Sequence, residues 1–395
     1  MNRYLERLQP YPFERLNQLK SDFVSISNQP HVSLALGEPK HEAPELVVHL
    51  LRDEARLRSS LDTYPSTRGS RELRETIAAW IAKRFGSVIN PETQVLPVNG
   101  TREGLFSFGQ AILGGSTGRA VLPNPFYQIY QGATLLAGTD PYYAPCTEKL
   151  DIDLVPKNVW RQTKLLFLCT PNNPSGATLE LDELKRWIEL AQKHDFVIAS
   201  DECYSEIYND EECPPCGILQ AASDLGIDDF RNCVSFNSLS KRSNVPGLRS
   251  GFAAGDPKCI AAYFQYRTYH GCAMPDIIQE ASQLLWSNED HVDKNRALYR
   301  AKFEQTHPLV KSQFGCELPT GAFYFWPDIE MDDEQFAAEL FLRENITVLP
   351  GKYIARTVNG HNPGANRIRI ALVAPLDECV DAIQRLCFTH SDLTA

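Results

Sequence analysis

Apolar positions along the middle of the chain follow two rhythms. Short runs with little or no alternation occur at Thr93–Val98, Arg119–Leu122, Lys164–Cys169, Phe196–Ser200 and Cys233–Phe236. Such a run predicts a strand buried on both faces. Between the runs the spacing turns helical. Arg71–Phe85 puts Leu73, Ile77, Trp80, Ile81 and Phe85 on one face, and Leu181–His194 does the same with Leu184, Trp187, Ile188 and Ala191. Strands alternating with helices predict an α/β fold, a mainly parallel central sheet wrapped by helices.

The last third has a different pattern. It predicts a long helix from about His291 to Phe314, strands at Ala322–Trp326, Ile346–Leu349 and Arg367–Val373, and helices at Asp333–Arg343 and Leu376–Cys387. This is the pattern of a smaller α+β domain. The segment before about Glu45 has too little apolar periodicity to stand alone. The expected organisation is therefore an N-terminal segment (1–45) packed on the small domain or on a partner subunit, a large domain (46–280) and a small C-terminal domain (281–395).

Composition narrows the function classes. At 43% hydrophobic and 23% charged residues the chain is an ordinary globular one, not a disordered one. Lys and Arg number 39 against 50 Asp and Glu, a net charge of −11 with no basic run. That excludes an electrostatic footprint for nucleic acid or for an anionic membrane. Any small anion must be met by a few placed cations. The apolar runs Leu165–Cys169 and Phe196–Ala199 are far too short to span a membrane. Met1–Lys20 has no signal-peptide layout, and the 11 cysteines are odd in number and unevenly spaced. They read as reduced thiols of a cytoplasmic protein. Cys213-Pro-Pro-Cys216 has metal-ligand spacing but no second pair, so no metal is expected.

In open parallel sheets ligands bind beyond the carboxyl ends of the strands. After the first run comes Asn99-Gly100-Thr101-Arg102-Glu103, a small-residue turn opening a helix. It is either a phosphate site made of free N–H groups or a plain turn capped by Thr101. The second is followed by Pro123-Asn124-Pro125-Phe126-Tyr127, a rigid turn that aims an aromatic ring into the cleft or packs a loop. After the third comes Thr170-Pro171-Asn172-Asn173-Pro174-Ser175-Gly176. The fourth leads into Asp201-Glu202-Cys203-Tyr204. A carboxylate at that depth needs a partner, either an arginine or a protonated ring nitrogen. The fifth leads into Asn237-Ser238-Leu239-Ser240-Lys241, then Gly247-Leu248-Arg249-Ser250-Gly251. Lys241 is a candidate Schiff-base amine or a surface lysine, and Arg249 a phosphate ligand or half of a salt bridge.

Phosphate donors, an aromatic ring, an amide, a carboxylate, a lysine and an arginine at five successive strand ends match one ligand, pyridoxal 5'-phosphate. In these motifs, from Leu36-Gly37-Glu38-Pro39 to Arg369-Ile370-Ala371-Leu372, the chain resembles the fold-type I pyridoxal-phosphate aminotransferases of class I/II. The resemblance implies a large cofactor-binding domain and a role for each motif. Lys241 would hold the cofactor as a Schiff base and move the substrate proton. Asp201 would pair with the pyridine nitrogen, and Tyr204 and Asn173 with the ring's phenolic oxygen. Tyr127 would stack on the ring. Arg249, Ser238, Ser240 and the amides of Gly100, Thr101 and Arg102 would hold the phosphate. Tyr64, in Thr63-Tyr64-Pro65, would reach the phosphate of the neighbouring subunit of a homodimer with shared sites. Arg369 would clamp the substrate carboxylate, approached also by Gly37 and Asn173.

Several segments resemble one subgroup, the succinyldiaminopimelate aminotransferases: Gln9-Pro10-Tyr11-Pro12-Phe13-Glu14, Leu36–His41, Leu96–Glu103 and Tyr266–Pro275. The implied reaction exchanges an amino group between N-succinyl-LL-2,6-diaminopimelate and 2-oxoglutarate, in lysine and diaminopimelate biosynthesis. Its partners are a small amino donor and a 2-oxo acid acceptor. Lys40 and Arg102 are the candidates for a distal carboxylate or succinyl group; the alternative for Arg102 is a helix-start salt bridge. The same residues are compatible with an aspartate, alanine or LL-diaminopimelate aminotransferase or with a carbon–sulfur β-lyase. A transcriptional regulator would need a basic N-terminal module, which these residues do not supply.

Overall fold

The computed structural model describes every residue except Asp22. Among the described residues twelve strands form three sheets: β1 (Val32–Ser33), β2 (Val95–Val98), β3 (Arg119–Asn124), β4 (Pro141–Pro145), β5 (Thr163–Cys169), β6 (Val197–Asp201), β7 (Cys233–Ser238), β8 (Gly251–Gly255), β9 (Tyr324–Phe325), β10 (Ile346–Thr347), β11 (Leu349–Pro350) and β12 (Ile368–Ala371). The large sheet has the order β2-β8-β7-β6-β5-β3-β4. Strands β4, β3, β5, β6 and β7 run parallel, and β8 is antiparallel to both its neighbours. All four parallel crossovers leave the same edge, so the polar residues that follow them gather there.

Strand β5 shows why these runs lack alternation. Leu165 and Phe167 pack into one core with Phe108, Tyr130 and Phe236. Leu166 and Leu168 pack into the other with Trp187, Ile188 and Ile198. Successive side chains still alternate, but both faces are dry. The Arg71–Phe85 helix starts at Ser70, whose hydroxyl accepts from the Leu73 N–H, and stops at Gly86 in the left-handed region.

A third core lies under the smaller sheets and is covered by the helices Asp290–Phe314, Asp333–Glu344 and Leu376–Thr394. The N-terminal segment joins this side: β1 pairs in parallel with β10. The predicted Ile346–Leu349 strand divides. Ile346 and Thr347 pair with β1, whereas Leu349 and Pro350 pair with β12, so the chain changes sheet at Val348. Only Tyr324 and Phe325 of the predicted Ala322–Trp326 strand are paired, because Ala322 has φ +59° and bends the chain at its start.

Strands β4 and β8 and the helices Gln128–Leu136, Pro257–His270 and Asp276–Trp286 are not among the elements predicted from the sequence, although Asp276–Trp286 has a clear apolar face with Ile277, Ala281 and Leu285 buried. For β8 the reason is its composition, Gly-Phe-Ala-Ala-Gly. A Cβ on Gly251 would lie 2.5 Å from the Asn237 carbonyl oxygen on β7. Close backbone approach, not side-chain bulk, selects these residues.

Candidate active site

A cavity of about 530 Å³ opens at the carboxyl edge of the large sheet, with β12 and the N-terminal segment on its opposite wall. Residues lining it include Gly37, Thr101, Arg102, Tyr127, Asn173, Asp201, Tyr204, Ser238, Ser240, Lys241, Arg249 and Arg369. The Gly100 turn closes one end of it.

Gly100, not Thr101, takes the N-cap position of the Thr101–Leu113 helix, with φ +80° and no side-chain cap. Among the described residues the Thr101 and Arg102 N–H groups meet no protein acceptor. A Cβ on Gly100 would sit 2.4 Å from a guanidinium nitrogen of Arg249. The missing side chain therefore leaves Arg249 free to lie against the helix start. Arg249 itself is in the left-handed region at φ +55° and donates to the Pro246 carbonyl at 2.9 Å. The Ser238 hydroxyl donates to the Ser240 hydroxyl at 3.0 Å and accepts from the Ser240 N–H at 3.1 Å. Two hydroxyls, a guanidinium and a helix start facing one space form an anion cradle, and they fit a phosphate group.

Asp201 is buried at the end of β6. Its Oδ2 accepts from the Tyr130 hydroxyl at 2.5 Å and its Oδ1 from the Cys203 N–H at 3.3 Å. Burial raises its pKa, opposed by hydrogen bonds from Cys203 and Tyr130 and by the charge of Lys241. No arginine pairs with it among the described residues. A buried carboxylate facing a cavity with only these donors fits a protonated ring nitrogen.

Lys241 donates to the Gly37 carbonyl at 2.7 Å. Burial lowers its pKa to about 8, helped by Arg369 and Arg249 and opposed by Cys203 and Glu38. Its amine is thus a usable nucleophile near neutral pH, whereas an ordinary lysine is fully protonated. Tyr204 and Tyr324 share a hydrogen bond of 2.7 Å between hydroxyls, and burial drives the Tyr204 pKa well up. Arg369, on β12, donates to Asn173 Oδ1 at 2.8 Å and to the Ala35 carbonyl at 2.7 Å. Its buried Nε has no partner. Both backbone and side chain hold this guanidinium while leaving donor capacity for a carboxylate.

Two sequence-predicted residues lie elsewhere. Lys40 is exposed and does not line the cavity. Past Glu38 the chain turns away, and the charge of Lys40 is felt instead by His31 and Lys302. Tyr64 is fully exposed on this chain and does not line the cavity. Among the described residues Arg102 makes no helix-start salt bridge, and the adjacent Glu103 is held by Arg267 at 2.5 Å. Arg102 instead stands over the Tyr11 ring, 5.3 Å from its centroid, and faces the cavity. The structure also adds Tyr130, Cys203, Tyr324, Tyr11 and Phe13. Tyr130 lies in the first turn of the helix that Tyr127 caps, and the two rings meet edge to face at 5.7 Å.

Comparison with known proteins agrees with this geometry. The family model described as aminotransferase class I and II matches residues 29–386. A protein named LL-diaminopimelate aminotransferase from Nitratidesulfovibrio vulgaris (strain Hildenborough) is 30% identical over 397 aligned positions, covering 97% of this chain and 98% of its own. The crystal structure of an aminotransferase from Neisseria meningitidis superposes with a TM-score of 0.92 at 44% identity, over 98% of this chain and 99% of that one. A probable N-succinyldiaminopimelate aminotransferase from Thermus thermophilus shares the fold, with a TM-score of 0.84 at 22% identity over 96% of this chain and 100% of that one. The cavity chemistry and these likenesses together place the chain in the class I and II aminotransferase family, enzymes that work with pyridoxal 5'-phosphate.

Proposed function

We propose that this aminotransferase exchanges an amino group between N-succinyl-LL-2,6-diaminopimelate and 2-oxoglutarate, giving N-succinyl-2-amino-6-oxopimelate and glutamate. The charge of the cavity carries this reading. Four lining residues are cationic (Arg102, Lys241, Arg249 and Arg369) and two are acidic (Glu38 and Asp201). Asp201 is committed to the ring nitrogen, which leaves Glu38 as the single acid for substrate. A succinylated donor presents a carboxylate-bearing acyl group where the unacylated compound presents a second ammonium. Arg102, against Tyr11 and without an acid partner, suits the first and repels the second.

A second reading is the unacylated LL-diaminopimelate as donor. Its support is the name carried by relatives at about 30% identity. The two differ by one acyl group, so the cavity wall around Arg102 decides between them.

The residues take these roles. Ser238, Ser240, Arg249 and the Thr101 and Arg102 N–H groups hold the phosphate. With the cofactor bound, Tyr127 would lie against its ring, Asp201 would keep the ring nitrogen protonated, and Asn173 and Tyr204 would donate to the phenolic oxygen. The bound cofactor supplies an electron sink for negative charge at the substrate Cα. Lys241 Nζ takes and returns the Cα proton, a role its lowered pKa allows. Arg369 and the Gly37 segment orient the α-carboxylate, and Tyr11 and Phe13 exclude water. Tyr64 is exposed because it serves the phosphate of a second copy, making the working unit a homodimer in the cytoplasm.

Half-reactions test the substrate. Cofactor-loaded protein is mixed with each amino donor, and loss of the visible absorption band is followed. The succinylated donor is expected to react at least about tenfold more efficiently than LL-diaminopimelate, one charge-assisted contact in energy. The reverse order establishes the second reading. Conversion by aspartate or alanine alone removes both.

A further inference from the structure

A second cationic cleft, of about 690 Å³, lies outside the amino-transfer cavity. Three parts of the chain meet there: the N-terminal segment with Arg7 and Arg15, the β4 edge with Asp140 and Tyr143, and the loop after β11 with Lys352 and Arg356. Four cations line it against one carboxylate, in a chain whose net charge is −11.

Three of the cations have acid partners. Arg7 pairs with Asp140, Arg15 reaches Glu334 at 3.5 Å, and Lys352 meets Asp332 and, at 3.0 Å, Asp333. Arg356 has none among the described residues. It is nine-tenths buried. One terminal nitrogen donates to Gln131 Oε1 at 2.6 Å, the other to the Ala355 carbonyl at 2.7 Å, and Nε has no partner. Burial and the like charge of Arg15 both oppose its protonated form. A guanidinium still stays charged at neutral pH, so it sits there with no anionic partner among the described residues and only the face of the Phe126 ring, 5.1 Å from its central carbon, against it.

We propose that this cleft binds a small multiply charged oxyanion, a di- or tricarboxylate or a phosphate, with Arg356 as its anchor and Arg15 as the second cation. This goes beyond the amino-transfer reaction and does not depend on its donor. The anion would bridge the N-terminal segment, the β4 edge and the loop after β11. The next N-terminal residues, Tyr11 and Phe13, line the amino-transfer cavity, so the bound anion would fasten that wall in place.

Calorimetric titration of cofactor-loaded protein at constant ionic strength tests this, with inorganic phosphate in one arm and citrate in the other. One saturable site is expected for at least one anion. The tighter arm identifies the ligand as phosphate-like or carboxylate-like. The site should persist in Arg369→Ala, which removes the carboxylate clamp of the other cavity. It should weaken about tenfold or more in Arg356→Gln and in Arg15→Gln. Arg15→Gln, at a partly exposed position, keeps the test valid if the buried variant misfolds. The proposal falls if neither anion saturates, if binding survives both substitutions unchanged, or if it disappears in Arg369→Ala.

Discussion

The two walls of the cavity are built in opposite ways. One is the carboxyl edge of the large sheet, where Asp201 and Ser238 end a strand and Gly100, Tyr127, Asn173 and Lys241 each follow one within a few residues. The other wall is assembled from a distance. Arg369 on β12 reaches Asn173 and Ala35, 196 and 334 residues away in sequence, and Tyr11 comes to Arg102 from the N-terminal segment. The first wall carries the groups proposed to hold the cofactor. On the proposed roles the second wall meets the substrate, Arg369 at the α-carboxylate and Tyr11 beside the Arg102 that would hold the distal carboxylate. A wall made of local motifs can be fixed while a wall made of long-range contacts is varied.

Substitutions can break this contrast in order of size. Lys241→Ala, on the first wall, should abolish turnover with every donor, a loss of about 10⁴-fold or more, and leave no borohydride-reducible link to the protein. A reducible link surviving in that variant would move the role to another lysine. Arg369→Ala, on the second wall, should slow the half-reactions of both glutamate and the amino donor about 100-fold, since each presents an α-carboxylate. Normal glutamate conversion would assign the clamp elsewhere. Tyr130→Phe should be milder. It removes one donor from Asp201 and should weaken cofactor retention about tenfold, measured by equilibrium dialysis, with all donors affected alike.

A pH series sharpens the first wall without mutation. Lys241 has its pKa lowered to about 8 by burial, so its neutral fraction rises with pH and saturates above that value. Capture of pyridoxal phosphate by cofactor-free protein should rise from pH 6 and level off beyond about 8. A rate still climbing toward the ordinary lysine value near 10.5 would show that burial does not tune this amine.

The same contrast explains what the sequence made legible. The parallel strands β3, β5, β6 and β7 announce themselves because both their faces are buried, and the chemistry follows each one directly; β4, half-exposed, does not. The phosphate turn could be read from Gly100 and Arg249 although its cap could not, since Gly100 and not Thr101 occupies that position. Strand β8 was hidden because its small residues answer to backbone proximity, not to hydrophobic burial. Tyr324 was hidden because nothing local marks a tyrosine that acts through a partner far away in the chain, and Tyr11 stood in a segment that carried the resemblance without its place in the cavity being legible. Lys40 was misplaced for a related reason: adjacency to the Gly37 turn says nothing about where the chain goes after Glu38.

The central claim is that the wall around Arg102 is a carboxylate pocket that selects the acylated donor. Arg102→Glu tests it most directly, with kcat/KM measured for N-succinyl-LL-2,6-diaminopimelate and for LL-2,6-diaminopimelate in the same preparation. Charge reversal should lower efficiency with the succinylated donor about 100-fold and raise it with the unacylated one, inverting the preference. Equal loss for both donors would contradict the account and leave Arg102 as part of the phosphate turn alone.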